Sequence, residues 1–558
     1  MHPILTNKYL YFSLLFLLSF NVYLPNAGNN SLSLPFNSST IFTTSLIIFL
    51  GLYKVSINKK IVINRLALIF GLTIIALLTP NLWHKAPHFL LVAPKFIYIF
   101  IGFLYYIALL QLFGNKKSYS LLYFVCGATL ISSFFSIYQN YLMGPDSYFI
   151  VDIEYGRPFG IFQQVNVLSS FMASGIAVSL YLLFIKGELN EKIKKLLYLN
   201  FFSTTWVLIL TQSRVGYLAG AIIFTYYLFY FLKQKKHKPL ISIISIFCIA
   251  FTLAKLLPYG AGDEYEVKRE VITSPTVRFQ IYKDSFELFL KKPLTGHGYG
   301  YFHYAITNYS AAKSSERNNL NIAKKLNHPH NEQLLWLVEG GIIPWLALTM
   351  LAFYFLLLVY KSKHYFKIPM LLMLLPIFLH TQVEHPFYQS FPHFITFITL
   401  VFVISKEMKF TEFSKTANPT IFKVGGLVTL ILLTTYSFTA LQTTNILYRY
   451  IYNEPNNHIL LSQVLNPIAE YKFIEIRTNT LKLDIAIFNG DKKEISKFIG
   501  WSNEFLKAYP SDYIYFETIR AMKALLMMEQ AEELNNKAKY LYPQNNSWET
   551  GVWVPSKN

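Results

Sequence analysis

Charged residues and cysteine are both scarce in this sequence. Only 14% of its 558 residues are charged and 53% are hydrophobic, whereas soluble domains carry about 25% charged residues. The two cysteines, Cys126 and Cys248, lie inside apolar runs, so neither a disulfide framework nor a metal cluster is expected. The sequence also lacks a phosphate-binding glycine loop, which argues against a pump driven by ATP. This composition is typical of a membrane protein.

Apolar runs of the length that crosses a bilayer, about 20 residues, recur along most of the chain. The first run follows a single lysine and has no small-residue cleavage site, so it is expected to be a retained span and not a removed signal peptide. Thirteen spans are predicted, near residues 9–25, 40–56, 61–79, 89–113, 118–143, 165–186, 196–212, 215–232, 239–257, 332–360, 366–381, 392–405 and 422–443.

The lysines of the short loops alternate along the chain. The net charge of +20 lies in these loops and not on one basic face, so no nucleic-acid partner is expected. By the positive-inside rule the lysine-rich loops are cytoplasmic, which places the N-terminus inside and, after thirteen spans, the C-terminus outside. The lysine-rich loops contain residues 54–60, 116–117, 186–195, 233–238, 361–367 and 406–423.

Two segments are too polar to lie in a membrane. The first is a long loop over residues 258–331, and the second is a tail over residues 444–558, both on the outer side. Apolar residues of the tail recur at helical spacing, among them Leu481, Ile485 and Phe488. Two helical units close about 33 residues apart, a period typical of tetratricopeptide-type helix pairs, with Ala521, Ala524, Ala531 and Ala538 expected at packing positions. We therefore expect an all-α fold with a transmembrane domain over residues 1–443 and a helical domain over residues 444–558.

Residues 328–332 form an unusual polar cluster at the start of an apolar run. His328, His330, Asn331 and Glu332 lie where the long loop re-enters a hydrophobic helix. Ionisable groups at the edge of a membrane span are costly to place there, which makes them candidates for function. The alternative is that these side chains only cap a helix.

Three arginines lie in polar segments on the predicted outer side. Arg157 precedes Gln164 and Asn166 at one span edge, Arg214 follows a Gln-Ser turn, and Arg278 begins a helix of the long loop. A guanidinium group is suited to holding a phosphate through two parallel hydrogen bonds. The alternative for Arg214 is an arginine whose charged end only reaches the lipid headgroups.

The order and spacing of these motifs resemble the O-antigen ligase superfamily, and most closely its bacterial protein O-oligosaccharyltransferases, the pilin glycosylation ligases. The resemblance covers about residues 150–395, and the helical tail is similar to the C-terminal domain of that subgroup. It implies an inverting, metal-independent glycosyltransferase of the GT-C membrane type in the bacterial inner membrane. The expected donor is an oligosaccharide on undecaprenyl-diphosphate at the periplasmic face, and the expected acceptor is a Ser or Thr of pilin or another periplasmic protein.

The resemblance also implies roles for particular residues. His330, directly before Asn331, matches the essential family histidine, and Arg214 and Arg278 match the two arginines that hold the diphosphate. Gln164 matches a family glutamine. Glu384-His385-Pro386 departs from the Glu-Tyr-Pro of related ligases, so the role of that tyrosine does not transfer to His385.

The residues fit this chemistry independently of the family. Displacing a lipid diphosphate needs charge stabilisation on the leaving group, which Arg214 and Arg278 can supply, and a base for the incoming hydroxyl, which His330 can supply. Glu332 or Glu339 is expected to orient the imidazole. Arg157, Asn166, His328, Asn331 and Glu384 are further substrate-binding candidates.

Two other functions remain open at this stage. The first is ligation of O-antigen to lipid A-core or polymerisation of O-antigen repeats, against which the large tail argues. The second is transport of the same lipid, although transporter sites lie near the bilayer midplane and the polar clusters here lie at the span edges.

Overall fold

A computed structural model describes residues 8–28, 34–84, 89–113, 118–143, 157–185, 189–257, 275–313, 326–455 and 457–553. Helices dominate because the apolar runs must satisfy their backbone hydrogen bonds internally within a bilayer. The helices are α1 (Lys8–Ser13), α2 (Pro35–Asn58), α3 (Arg65–Leu78), α4 (Phe89–Phe113), α5 (Ser120–Tyr141), α6 (Val165–Phe184), α7 (Glu191–Thr211), α8 (Arg214–Lys233), α9 (His237–Leu256), α10 (Pro275–Lys291), α11 (Phe302–Ala312), α12 (Glu332–Gly340), α13 (Ile342–Lys361), α14 (Lys367–Thr381), α15 (Pro386–Gln389), α16 (Phe391–Glu407), α17 (Pro419–Tyr448), α18 (Ile459–Ser462), α19 (Tyr471–Asn489), α20 (Lys492–Ala508), α21 (Asp512–Ala524), α22 (Met528–Leu541) and α23 (Ser547–Thr550).

Within these ranges ten helices are long and apolar enough to cross a membrane: α2 to α9, α13 and α17. The chain is therefore a multi-pass, all-α membrane protein, as predicted. The three remaining predicted spans fall on shorter elements. Residues 9–25 contain α1 and two further short helical turns, and α14 and α16 have 15 and 17 residues.

The prediction of one continuous span over residues 332–360 was wrong, because the chain breaks between α12 and α13. Gly341 has a φ of 77°, and a Cβ atom at this position would lie 2.5 Å from Leu294 O. Only glycine fits such a close backbone contact. The break separates the short polar-ended α12 from the apolar α13.

The chain divides into two compact units. The first contains Met1–Gly71, Tyr98–Lys268 and Leu351–Ala469, and the second contains Leu72–Ile97, Arg269–Met350 and Glu470–Asn558. In the first unit α17 packs along α2, and α6 packs against α7 and α14. Buried polar side chains join its helices, as when Thr129 donates to Asn200 Oδ1 at 3.0 Å.

A two-stranded antiparallel ribbon, which the sequence did not predict, also belongs to the first unit. Strand β1 (Lys60–Asn64) pairs with β2 (Glu412–Thr416), with Val62 opposite Ser414. Because β1 directly follows α2 and precedes α3, the ribbon joins the ends of early and late helices.

The tail forms successive packed helices, α19 to α22, in the second unit. Gly490, with a φ of 68°, ends α19, and Asp491 caps α20 by accepting from Lys493 N and Glu494 N. Small residues allow close packing: Ala521, Ala531 and Ala538 are fully or almost fully buried, as expected. Their core also includes Ala311 of α11. The predicted tail helices are confirmed, whereas the boundary at residue 443 stays a prediction.

Candidate functional site

Three of the sequence motifs share one local backbone geometry at a helix start. In each, a residue in the left-handed conformation is followed by an N-cap residue whose side chain accepts a hydrogen bond from the first turn. Such a start leaves free N–H groups and the positive end of a helix dipole beside the preceding residue. The pairs are Gln163 (φ 53°) and Gln164 before α6, Gln212 (φ 48°) and Ser213 before α8, and His330 (φ 52°) and Asn331 before α12.

Capping therefore accounts for part of the polar cluster at residues 328–332. Asn331 Oδ1 accepts from Leu334 N at 3.0 Å, which is the role that the alternative interpretation assigned to it. His330 does not cap the helix; its φ of 52° places it just before the cap. An imidazole in this strained conformation is costly to keep unless the surrounding structure holds it, which is common at functional sites.

In the first unit the starts of α6 and α8 are joined directly. Ser213 Oγ donates to Asn166 Oδ1 at 2.7 Å, and Thr211 Oγ1 donates to Ser169 Oγ at 3.2 Å. A Cβ atom at Gly216 would lie 1.7 Å from Ser169 Oγ, so only glycine permits this approach. Two positive helix ends therefore meet at one place, which favours an anion there.

Arg214 is the first residue of α8, at this junction. Its side chain is exposed, and across the described ranges it makes no hydrogen bond or ion pair. This guanidinium group beside two helix N-termini adds to the positive potential at this point.

The segment that begins at Arg157 is held against α5. Gln139 Oε1 accepts from Phe159 N at 3.1 Å and from Gly160 N at 2.8 Å. Gln164, expected to bind substrate, uses its Oε1 to accept from Val167 N at 2.6 Å. The side chain of Gln164 is thus engaged in capping α6, while Arg157 is half-buried at the start of the segment.

The turn between α14 and α15 carries Glu384 and His385, both buried, with 5% and 1% of their surface exposed. Beneath this turn the structure shows a histidine network that the sequence analysis missed. Ser170 Oγ lies 2.8 Å from His380 Nδ1 and 3.2 Å from His393 Nε2. Histidines within apolar helices were the available signal, and these two link the first turns of α6 to α14 and α16.

In the second unit His328 and His330 contact each other. Their ring centroids lie 4.6 Å apart, and His330 N donates to His328 Nδ1 at 3.2 Å. Tyr282 of α10 donates from its hydroxyl to His330 O at 3.0 Å. Arg278 lies one helical turn before Tyr282, on the same face of α10. Arg278 therefore lies one turn along α10 from Tyr282, the residue that contacts the backbone of His330.

Glu339 does not have the predicted role of orienting His330. Its Oε2 lies 3.4 Å from Lys95 Nζ, and its Oε1 accepts from Gly300 N at 3.0 Å. Lys95 Nζ also lies 3.8 Å from the Trp336 ring centroid. Both charged side chains are less than 10% exposed. Glu339 thus fixes α12 to α4 and to the glycine-rich segment, and Glu332, buried in the first turn of α12, remains the candidate partner of His330.

The glycine-rich segment at residues 296–300 makes a close backbone approach to the end of α12. Gly296, Gly298 and Gly300 all have positive φ angles, and a Cβ atom at Gly296 would lie 2.3 Å from Glu339 O. His297 N donates to Val338 O at 2.8 Å, and Gly298 N donates to Glu339 O at 2.9 Å. The segment therefore supports the C-terminal end of α12.

The candidate residues fall into two sets. Arg157, Gln164, Asn166, Arg214 and Glu384 belong to the first compact unit, and Arg278, His328, His330, Asn331 and Glu332 belong to the second.

Comparison with family models gives three matches along the chain. Residues 158–183 match a model described as protein glycosylation ligase, and residues 199–346 match one described as O-antigen ligase. Residues 368–553 match a model described as virulence factor membrane-bound polymerase, C-terminal. The first two matches include the starts of α6, α8 and α12. A comparison with curated proteins gives no match.

The family matches and the helical membrane fold define a membrane enzyme that transfers glycosyl groups. The joined starts of α6 and α8, with Arg214 beside them, agree with this class. Within this class, the matched segments support membership of the O-antigen ligase superfamily, with similarity to its protein glycosylation ligases. Its partners are accordingly a lipid-linked glycan and an acceptor, in a membrane.

Proposed function

We propose that the chain transfers a preassembled oligosaccharide from undecaprenyl-diphosphate to Ser or Thr residues of pilin or other periplasmic proteins. The observation that carries this proposal is the junction of two helix N-termini, joined by Ser213 and Asn166, with Arg214 beside it. Dipoles and a guanidinium group converging on one point are suited to a diphosphate.

The leaving group of this reaction is the lipid diphosphate, which gains negative charge as the bond to the anomeric carbon breaks. Arg214 at the α6–α8 junction would stabilise that charge, and Arg278 on α10 would supply a second guanidinium. Since two guanidinium groups and two helix ends would offset the charge, the proposed reaction needs no metal ion and no nucleotide cofactor.

His330 would take the proton from the acceptor hydroxyl as that oxygen attacks the anomeric carbon from the side opposite the diphosphate, with inversion. Imidazole is the commonest general base in enzymes. The contact with the His328 ring and the bond from Tyr282 to His330 O hold this residue in place. Glu332 would orient the imidazole, and Asn331 would keep α12 starting at this point.

The proposed location is the bacterial inner membrane with the site on the periplasmic side. Support comes from the alternation of lysine-rich loops, which predicts a cytoplasmic N-terminus and a periplasmic C-terminus. The tail over residues 444–558 would then face the same compartment as the acceptor protein.

Polymerisation of O-antigen repeats, or their ligation to lipid A-core, is the second candidate. The match of residues 368–553 to a C-terminal polymerase model favours polymerisation. Both candidate functions use the same lipid donor and differ in the acceptor. The experiment must therefore identify which molecule receives the glycan. Transport of the lipid is a less favoured third possibility, because the candidate residues lie at helix starts and not within the spans.

The test is intact-protein mass spectrometry of pilin from cells that carry the wild-type chain, His330→Ala or His237→Ala. His237 is an exposed histidine at the start of α9 and serves as the control. We expect glycosylated pilin with the wild type and His237→Ala and unmodified pilin with His330→Ala at equal membrane levels. If the pilin mass is the same in wild-type and His330→Ala cells while His330→Ala cells lose lipopolysaccharide laddering, the function would instead be O-antigen ligation or polymerisation.

A further inference from the structure

His303, the second residue of α11, lies between two backbone carbonyl groups from distant parts of the chain. Its Nδ1 is 2.7 Å from Leu326 O, and its Nε2 is 2.8 Å from Pro510 O. Leu326 lies two residues before His328. Pro510 lies in the turn between tail helices α20 and α21. One imidazole therefore contacts both the segment that leads to His330 and the tail.

The two contacts cannot both be hydrogen bonds while the ring is neutral. Both partners are carbonyl oxygens, which only accept, and a neutral imidazole carries one N–H group. His303 is 5% exposed, and burial lowers its pKa to about 4, so the ring is neutral at pH 7. Its proton is then either on Nδ1, donating to Leu326, or on Nε2, donating to Pro510.

The surroundings of His303 show that this contact between α11 and the tail is well packed. The imidazole stacks on the Tyr509 ring with a centroid distance of 4.3 Å. Lys472 Nζ lies 3.2 Å from the centroid of the same Tyr509 ring, and Lys472 is the charged group that acts on His303. The tail residue Tyr509 also interacts with the side chain of Asn327, next to Leu326.

We propose that His303 is a positioning residue that couples the docking of the tail on α11 to the placement of residues 326–331. The neutral imidazole has two tautomers: one donates from Nδ1 to Leu326 O, and the other donates from Nε2 to Pro510 O. The positions of the tail and of residues 326–331 decide which tautomer is favoured. Coupling through such a two-state element acts in both directions. Displacement of the tail by an acceptor protein would free the imidazole to carry its proton on Nδ1 and donate it to Leu326 O, which would tighten the segment before His330. The effect on glycan transfer rests on the proposed function, whereas the link itself does not.

Three substitutions separate the two contacts. His303→Asn places its amide nitrogen near the Nδ1 position and retains only the Leu326 contact. His303→Gln reaches the Nε2 position and retains only the Pro510 contact. His303→Phe keeps the stacking on Tyr509 and loses both. His458→Phe is the matched control, because His458 contacts Tyr450 and lies outside both segments.

The experiment is amide hydrogen exchange of residues 326–334 and 505–515 in the full-length detergent-solubilised chain, with glycan-transfer kinetics on the same samples. We expect His303→Asn to lower protection of residues 505–515, His303→Gln to lower that of residues 326–334, and His303→Phe to lower both. His303→Gln and His303→Phe, which lose the bond to Leu326 O, should slow transfer about fivefold, the worth of one hydrogen bond, at an unchanged KM for the lipid donor. His303→Asn, which keeps that bond, should slow transfer less.

Wild-type protection of both segments in all three variants, with wild-type transfer rates, would overturn the inference. Loss of protection confined to one segment in His303→Phe would also overturn it, since the imidazole would then hold that segment alone. If protection changes as expected while the wild-type chain transfers no glycan, the link stands and the proposed function fails.

Discussion

Ser213 Oγ donates to Asn166 Oδ1 at 2.7 Å, and through this bond the first turns of α6 and α8 are held together. Ser213 also caps α8 by accepting from Gly216 N at 3.4 Å. One hydroxyl group therefore sets both the start of α8 and its distance from α6. The position of Arg214, the next residue, depends on it.

Replacing Ser213 with Ala should raise the KM for the lipid donor. The substitution removes a cap and one buried hydrogen bond, each contributing about 1 kcal/mol. Because both losses act on the helix starts, we expect an increase in KM of about tenfold and a smaller change in kcat. The measurement is steady-state transfer at varied donor concentration, with Ser242→Ala on the exposed face of α9 as the control. Equal KM values for the two variants would contradict the prediction.

Replacing Arg214 with Lys distinguishes phosphate binding from contact with lipid headgroups. A lysine keeps the charge but cannot form two parallel hydrogen bonds to a phosphate. If Arg214 holds the diphosphate, kcat/KM should fall at least about tenfold in Arg214→Lys, the worth of a charged hydrogen bond, and further in Arg214→Ala. Lys233→Ala, at the other end of α8, should leave it unchanged. Full activity of Arg214→Lys would favour the headgroup alternative.

The Lys95–Glu339 pair should be a strong determinant of stability. Removing one member of a buried ion pair leaves the other charge uncompensated, which costs about 3–5 kcal/mol. We expect Lys95→Met to lower the free energy of unfolding by about this amount. Glu339→Gln should cost less, because its amide oxygen still accepts from Gly300 N. In the double variant Lys95→Met/Glu339→Gln the loss should be smaller than the sum of the single losses, measured by thermal unfolding in detergent. Additive losses would mean that the two charges do not interact.

Lys472 should make the tail less stable at neutral than at alkaline pH. Burial lowers the pKa of Lys472 from 10.5 to about 7. The unfolded chain therefore binds more protons than the folded chain between pH 7 and 10.5, so stability rises with pH across this window. The change is about 5 kcal/mol at most, since one pKa unit corresponds to about 1.4 kcal/mol. Calorimetry of the full chain should show a pH slope that Lys472→Met removes. An identical slope in the variant would assign it to other groups.

His303 should affect the stability of the fold at lower pH than Lys472 does. Burial lowers its pKa from 6.5 to about 4 and outweighs the two carbonyl contacts, which raise the pKa. The neutral form of His303 therefore stabilises the fold. That contribution is fully present above pH 6.5 and is lost as pH falls through 4. We expect His303→Phe to flatten the fall in melting temperature between pH 6.5 and 4. A fall as steep as in the wild type would show that other groups are responsible.

The apolar periodicity predicted the helices well because a bilayer leaves the backbone few alternatives. In the tail it predicted the helices, but not which face of α19 is buried. Leu481, Ile485 and Phe488 were expected on its buried face, yet Phe488 is 91% exposed, and Leu483 and Ala486 are buried instead. The helical spacing of Leu481, Ile485 and Phe488 therefore did not mark the buried side of α19, which is set by the neighbouring helix. Ala524, expected to pack, is likewise exposed.

The candidate residues were found in the sequence, but their geometry was not. A left-handed φ at His330 cannot be predicted from residue type, since only a few per cent of residues other than glycine adopt it, even though Asn, Asp and His are enriched among them. The Lys95–Glu339 pair joins residues far apart in sequence, so only the folded chain shows that Glu339 is engaged elsewhere. The network of Ser170, His380 and His393 was missed because isolated histidines in apolar runs have no spacing that marks them as partners.

The ribbon of β1 and β2 has a consequence for biosynthesis. During translation β1 leaves the ribosome long before β2, its antiparallel partner. Until residues 412–416 are made, the backbone groups of β1 face water or another chain, and an unpaired strand edge is prone to mispairing. Lys59, just before β1, and Lys60, its first residue, lower that risk. The closing of this ribbon is therefore a late event, and a chain truncated before residue 412 would leave the first unit open at the end of α2.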